Sequence, residues 1–515
     1  MIILIWLAVI ITALVLYIRQ AYSKFSRYGV KHFPVVPPVG NLLNELMRKK
    51  HVAETLDDMY HSFPEERFVG RYEFLKGVVM IRDLELVKKI AVKDFEHFLD
   101  HRMLVDETVE PLFGRNLFSL KGQEWKDMRS TLSPAFTSSK MRAMVTFMME
   151  VSDQMIGSLK KQIKESGVDY VDVDTKDLTT RYANDVIASC AFGLKVNSHD
   201  DRNNQFYNVG YETATSGFKR VLIFFGYTCF PAIMKKFNVK LFSEATTDFF
   251  QSIVLNTMDE RQKKNIYRPD MIHLLMEAKK GKLTYEEKSE EQTNTGFATV
   301  EESEVGKANN NREWSDIDLT AQAILFFVLA VNPDIQERLA QEIRDNDAKY
   351  GGKFDFNSIQ NLPYLDMVIS EILRLWPPAP ALDRLCTKDY NLGKANANAD
   401  KDYIIRKGEA ANIPLWAFHH NPEFFPEPYK FDPERFSEQN KHNIKPFTYL
   451  PFGLGPRNCI GSRFALCEIK VMVYQLFQQM EVSPCMKTRI PAVLRKDTFN
   501  LKIQGGEYVR FRVRQ

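Results

Sequence analysis

The spacing of apolar and polar positions changes several times along this chain, and each change predicts an element. Met1 to Ile18 contains no charge. As a helix it spans about 27 Å, enough for one hydrocarbon crossing with slight mismatch. A cleaved signal peptide has a shorter apolar core followed by a small-residue cleavage site, so residues 1–18 read as an uncleaved transmembrane anchor. Arg19, Lys24, Arg27 and Lys31 follow directly, and the positive-inside rule places them in the cytosol. Residues 19–40 read as a basic, proline-rich linker, stiffened by Pro34, Pro37 and Pro38 before Gly40, because each proline fixes its own backbone and restricts its predecessor. Residues 41–515 read as one large domain. Its middle has helical spacing. Arg71 to Ile81 and Tyr403 to Ile405 carry the aromatic and β-branched residues of strands.

Three further stretches stand out. Gly217 to Phe230 is apolar and aromatic, with Phe218, Phe224, Phe225, Tyr227 and Phe230; by spacing alone it is a core helix or a contact surface. Lys282 to Asn311 is polar and acidic and reads as a flexible surface loop. Trp314 to Val331 carries an apolar stripe of Ile317, Ala321, Ile324, Leu325 and Val328, the mark of a packed helix.

At 515 residues and 44% hydrophobic content the chain can bury a large core. A net charge of +3 is too small to imply nucleic-acid binding, and no basic arm or nucleic-acid motif is present. The six cysteines, Cys190, Cys229, Cys386, Cys459, Cys467 and Cys485, show no zinc spacing, and a cytosolic domain gives no reason to expect disulfides.

Cys459 differs from the others by its loop, Phe452-Gly453-Leu454-Gly455-Pro456-Arg457-Asn458-Cys459-Ile460-Gly461. Gly455 and Gly461 are expected to take positive-φ turns, so that peptide N–H groups can approach the sulfur. Alone, the loop is open to two readings, a buried cysteine on a turn and a metal-bound thiolate. Upstream, Glu371-Ile372-Leu373-Arg374 lies in a helical stretch from Tyr364 to Trp376, with carboxylate and guanidinium on one face, and Pro433-Glu434-Arg435-Phe436 follows later. Earlier still, Trp125 and Arg129 share a face of another helix. The F-x-x-G-x-R-x-C-x-G loop, the E-x-x-R helix, the P-E-R-F loop and the W-x-x-x-R helix, in this order, resemble the cytochrome P-450 family. The likeness runs from about Phe33 to the carboxyl terminus and is closest to insect microsomal members; Val92-Lys93-Asp94-Phe95 and Arg268-Pro269-Asp270-Met271 read like them too.

The resemblance implies a mainly α fold with a small β subdomain behind the transmembrane anchor. It implies haem b held by Cys459 as thiolate, with Phe452 screening the bond from water and Gly455 and Gly461 shaping the loop. Arg457, Trp125, Arg129 and Arg384 become candidate contacts of the haem propionates, through donors suited to carboxylates. Glu371, Arg374 and Arg435 become a structural cluster. His101 to Ser119 would line the pocket, and Gly217 to Phe230 would cap it at the bilayer. The chain has no G-x-G-x-x-G unit between strand and helix and no P-loop, so electrons are expected from NADPH-cytochrome P-450 reductase, with cytochrome b5 as a second donor. The implied activity is insertion of one oxygen atom from O2 into lipophilic small molecules at the endoplasmic reticulum membrane.

One departure qualifies that reading. After a stretch like Ile324-Leu325-Phe326-Phe327-Val328-Leu329-Ala330 the family continues with a glycine, an acidic residue, a threonine and more helix. Here Val331-Asn332-Pro333-Asp334 follows at once, with Asn332 as N-cap and Pro333 opening the next helix. Roughly five helical turns are absent near residues 330–332, and with them the acid–threonine pair, so no catalytic side chain is identified. Asp318 and Thr320 sit too early on the helix to replace the pair. The alternative is a haem-binding or misfolded variant without oxygenase activity.

Overall fold

The amino-terminal apolar run forms one helix, α1 (Ile2–Tyr22), in the computed structural model, which describes residues 1–515 except 103–106, 215–221, 224–225, 228–229, 280–296, 299–316, 353 and 499. Its best window has a mean hydropathy of 2.6, and none of that window is buried among the described residues.

The stretch that follows is not a free tether. Below α1, a single turn of helix α2 (Lys24–Arg27) carries Phe25, which is fully buried. Its ring lies 5.0 Å from Tyr72 and 5.8 Å from Tyr403. A Cβ at Gly70 would lie 2.3 Å from that ring, so only glycine leaves the space that Phe25 fills. Lys24 pairs with Glu409, and Gly70 N–H donates to the Lys31 carbonyl at 2.8 Å.

Phe25 docks on the largest sheet among the described residues. Strands β1 (Phe68–Glu73) and β2 (Lys76–Ile81) form a hairpin in which Phe68 faces Ile81, and Arg71 to Ile81 thus divides between two strands. The sheet order is β1-β2-β7-β4, with β7 (Ala410–Ile413) parallel to β2 and β4 (Leu382–Leu385) antiparallel to β7. A second sheet joins β3 (Tyr170–Asp174), β9 (Tyr508–Val513) and β8 (Met480–Ser483), and β5 (Tyr390–Gly393) pairs with β6 (Tyr403–Ile405).

The larger core is helical. It packs α3 (Gly122–Leu132), α4 (Ser138–Ser166), α5 (Thr175–Cys190), α6 (Ile317–Ala330), α7 (Pro333–Lys349), α8 (Pro363–Leu375) and α10 (Ser462–Gln479) around a continuous apolar interior. α8 shows why: Leu365, Val368, Ile369, Ile372 and Leu373 recur at three- and four-residue spacing and are all buried. Short helix α9 (Leu415–His419) follows β7 and packs against α8.

Phe218, Phe224 and Phe225 and most of the Lys282 to Asn311 loop lie outside the described residues. Of the aromatic stretch, Tyr227 is buried and donates to the Val239 carbonyl at 2.7 Å, whereas Phe230 is exposed.

Candidate haem-thiolate site

The Cys459 loop runs into the amino terminus of α10, with Arg384 of β4 bonded to its Leu454 carbonyl. Cys459 N–H donates to the Phe452 carbonyl at 2.8 Å, which closes the loop, and a 3-10 turn over Gly455–Arg457 forms its tip. Phe452 is buried and Cys459 half-buried. Cys459 precedes the first residue of α10 by three positions, where the helix dipole favours a thiolate.

The glycines divide the work differently from the sequence expectation. Gly455 has φ +70°, and a Cβ there would sit 1.8 Å from the Ala91 carbonyl oxygen. Gly461 does not take a positive φ; it N-caps α10 at φ −94°. The second left-handed residue is Gly453, at φ +82°, because the chain reverses before the tip and enters the helix at Ser462, straight from Gly461.

Three arginines converge on this loop. Arg457 donates through Nε to the Leu99 carbonyl at 2.6 Å and through Nη2 to the Leu120 carbonyl at 2.8 Å, with Asp100 at 3.3 Å. Its guanidinium lies 3.9 Å from the Trp125 ring centroid, so the face shared by Trp125 and Arg129 supports one arginine and contributes another. Arg129 reaches the Asn458 carbonyl at 2.6 Å and its side-chain oxygen at 2.5 Å. Arg384, on β4, donates to the Leu454 carbonyl at 3.0 Å. Burial, with the like charges of Arg384 and Arg129 added, pushes Arg457 down to about 9 against the pull of Asp100. Burial also lowers Arg384. Half-buried His101, named from the sequence only as the start of a pocket-lining stretch, joins them. It stacks on Phe118 at 4.3 Å and contacts Asp383 at 3.0 Å.

The donor set therefore holds more positive charge than Asp100 and Asp383 supply, and Arg384 and Arg129 add to the depression of Arg457. Two carboxylates on an apolar plate would relieve that excess, and a half-buried cysteine at a helix amino terminus would suit an iron ligand. These residues fit haem.

Behind the loop, Arg374 donates to Glu371 through Nε at 2.7 Å and Nη2 at 2.8 Å, and both side chains are fully buried. Arg435 Nε adds a 3.4 Å contact and Asp432 N–H a 2.9 Å bond to the same carboxylate. His419, which sequence reasoning did not single out, ties this cluster to the cysteine loop: Nδ1 lies 3.0 Å from the Arg374 carbonyl, and Leu450 N–H donates to Nε2 at 2.9 Å. That geometry makes Nδ1 the donor and Nε2 the acceptor of a neutral ring. Burial pushes its pKa down to about 3.

The helix break falls where the sequence places it. α6 ends at Ala330, and α7 begins at Pro333. Asn332 holds the N-cap position, but its side chain turns back and donates to the Val328 carbonyl at 2.8 Å instead of capping α7. The preceding helix leaves carbonyls to satisfy, and Asn332 reaches one of them first. Gln336 bonds the Leu329 carbonyl at 3.2 Å and both backbone groups of Val482, at 2.8 and 2.9 Å. Ile324 to Ala330 are all buried. The side chains of Asp318 and Thr320 lie outside the described part.

The family model of Cytochrome P450 matches residues 31–509. The chain belongs to the cytochrome P450 family. It is 44% identical over 512 positions to "Cytochrome P450 9e2" of Blattella germanica, covering 94% of this chain and 93% of that one. It is 38% identical to "Probable cytochrome P450 9f2" of Drosophila melanogaster, with 94% of each covered, and 36% identical to "Cytochrome P450 9b2" of the same organism, covering 90% and 89%. Cytochrome P450 proteins are haem-thiolate monooxygenases, so the chain is an enzyme by family, and its cofactor is haem b held by a cysteine thiolate. The 512 positions aligned with the Blattella P450 exceed what 94% of a 515-residue chain can fill, so that relative has residues with no counterpart here.

Proposed function

We propose that this cytochrome P450 oxygenates lipophilic small molecules at the cytosolic face of the endoplasmic reticulum, with Cys459 as its iron ligand and electrons from NADPH-cytochrome P-450 reductase, assisted by cytochrome b5. The supporting observation is the placement of Cys459 at the amino terminus of α10 among three inward-facing arginines. When bound, thiolate-ligated haem supplies dioxygen activation. The chain's own residues hold and shield it. Arg129, Arg384 and Arg457 neutralise two carboxylates, Trp125 supports Arg457, Phe452 keeps water from the sulfur, and α10 favours the thiolate. Replacing Cys459 with Ala removes the thiolate-type carbon monoxide spectrum in any form that loads haem; an unchanged spectrum rejects the assignment.

The non-catalytic reading is the weaker one. Ile324 to Ala330 are fully packed, and Asn332 and Gln336 occupy carbonyls at the end of α6, so the short junction closes as ordinary core. The chain still lacks a glycine–acid–threonine run after Phe327, and proton delivery to the distal face is its weak step.

A further inference from the structure

A cleft of about 550 Å³ opens just beyond α1, between the end of α2 and the loop from Asn396 to Lys401. Its location is fixed by packing: Phe25 locks α2 onto β1, while Glu66 accepts from Asn396 Nδ2 at 2.8 Å and Arg67 N–H donates to the Ala395 carbonyl at 2.8 Å, which hold the opposite wall. Between Arg19, where the uncharged run ends, and Arg27 the chain rises no more than about 12 Å as helix. The headgroup layer on each side of a bilayer is about 5–8 Å deep, and arginine and lysine side chains reach further. With α1 in a membrane, the cleft opens at headgroup level.

Its charges are arranged for a ligand. Arg27, Lys31 and Lys401 line it, exposed and without an ion pair among the described residues. Glu65 and Asp400 line it too, equally exposed and also without an ion pair, and Glu66 is committed to Asn396. Three free cations and two free carboxylates, beside the committed Glu66, do not suit a ligand of one sign. They suit a zwitterion whose phosphate meets the cations and whose ammonium meets the carboxylates. A primary ammonium donates three hydrogen bonds, whereas a quaternary one donates none and needs an aromatic cage. Tyr28 is the one aromatic residue in the lining. An additional carboxylate on the headgroup would face Glu65 and Asp400.

We propose that this cleft binds the phosphoethanolamine headgroup of a membrane lipid. The proposal rests on the anchor reading of α1, and the test separates the two. The haem-loaded full chain is added to vesicles of phosphatidylcholine alone, or with phosphatidylethanolamine or phosphatidylserine added; flotation reports membrane association, and amide hydrogen exchange reports residues 26–31 and 396–401. The expected result is flotation with all three and severalfold slower exchange at both segments with phosphatidylethanolamine only. Arg27→Glu and Lys401→Glu should each lose that protection while still floating. Equal exchange in the three vesicles, or strongest protection by phosphatidylserine, overturns the cleft while leaving the anchor standing. Failure to float overturns the anchor and the proposal with it. Full protection by soluble glycerophosphoethanolamine at the same total concentration, without vesicles, overturns the lipid as its source.

Discussion

Glu371→Gln keeps the shape of the side chain and removes its charge. In the native site the carboxylate accepts from Arg374 at 2.7 and 2.8 Å, from Asp432 N–H at 2.9 Å and from Arg435 at 3.4 Å. An amide offers one oxygen and turns an NH2 group toward a guanidinium that can only donate. Arg374, which has no exposed surface, is then left charged without a counter-ion. Breaking a buried pair from one side costs about 3–5 kcal/mol, a large part of the roughly 5–15 kcal/mol that holds a domain folded. Because His419 links Arg374 to Leu450, the loss should reach the cysteine loop. Urea unfolding followed by both far-ultraviolet circular dichroism and the haem absorption band should show both transitions at lower urea. The double variant Glu371→Gln with Arg374→Met should recover part of the loss, since it removes the stranded charge. A cost below about 1 kcal/mol for the single variant, the range of exposed pairs, would refute the reasoning.

Gly455→Ala should destabilise haem retention by at least about 1–2 kcal/mol from its left-handed backbone alone, with the Ala91 contact in addition, whereas Gly461→Ala should be milder; equal thermal midpoints for the two would contradict the loop geometry. Burial pushes His419 and His420 down to about 3 and His199 to about 4, so below about pH 6.5 the unfolded chain takes up protons that the folded one refuses. Each histidine then removes up to about 1.4 kcal/mol per pH unit on acidification. Glu507, raised to about 7 by burial, opposes them by holding its proton in the folded state. Urea unfolding at pH 7 and pH 5 should show lower stability at pH 5, and a flat profile would remove the histidine argument. Inserting a family-like segment with glycine, acid and threonine after Ala330 should raise reductase-supported product formation together with haem loading; robust turnover by the unmodified chain would show that the segment is not needed.

The parts of the site readable from the sequence are those whose partners lie close together or in contiguous motifs. The Cys459 loop and the i,i+3 contact of Glu371 with Arg374 are of this kind, as is the break after Ala330, because a proline at the first helical position marks a start wherever it occurs. Contacts across hundreds of residues were not readable. Helical spacing puts Trp125 and Arg129 on one face but does not disclose that the first lies under Arg457 and the second reaches Asn458. His419 and His420 are adjacent histidines with no distinguishing spacing, and only the fold reveals that His419 bridges two motifs. Gly453 and Gly461 are both loop glycines, and the direction in which the chain enters α10 decides which is left-handed.

With α1 in a membrane, as proposed, Phe25 in the space left by Gly70 would also fix how this protein meets it. A hydrophobic helix on a loose tether sets only distance, so its globule can roll and turn. Here the helix stands like a mast stepped into the hull: Tyr22, Phe25 and Tyr72 form one aromatic block, and tilting α1 must carry the sheet with it. On the proposed topology, the heading of the catalytic face over the lipid surface is thus written in side chains just beyond α1. The apolar run before Arg19 can change in sequence without changing that heading, provided that the joint beginning at Tyr22 is kept.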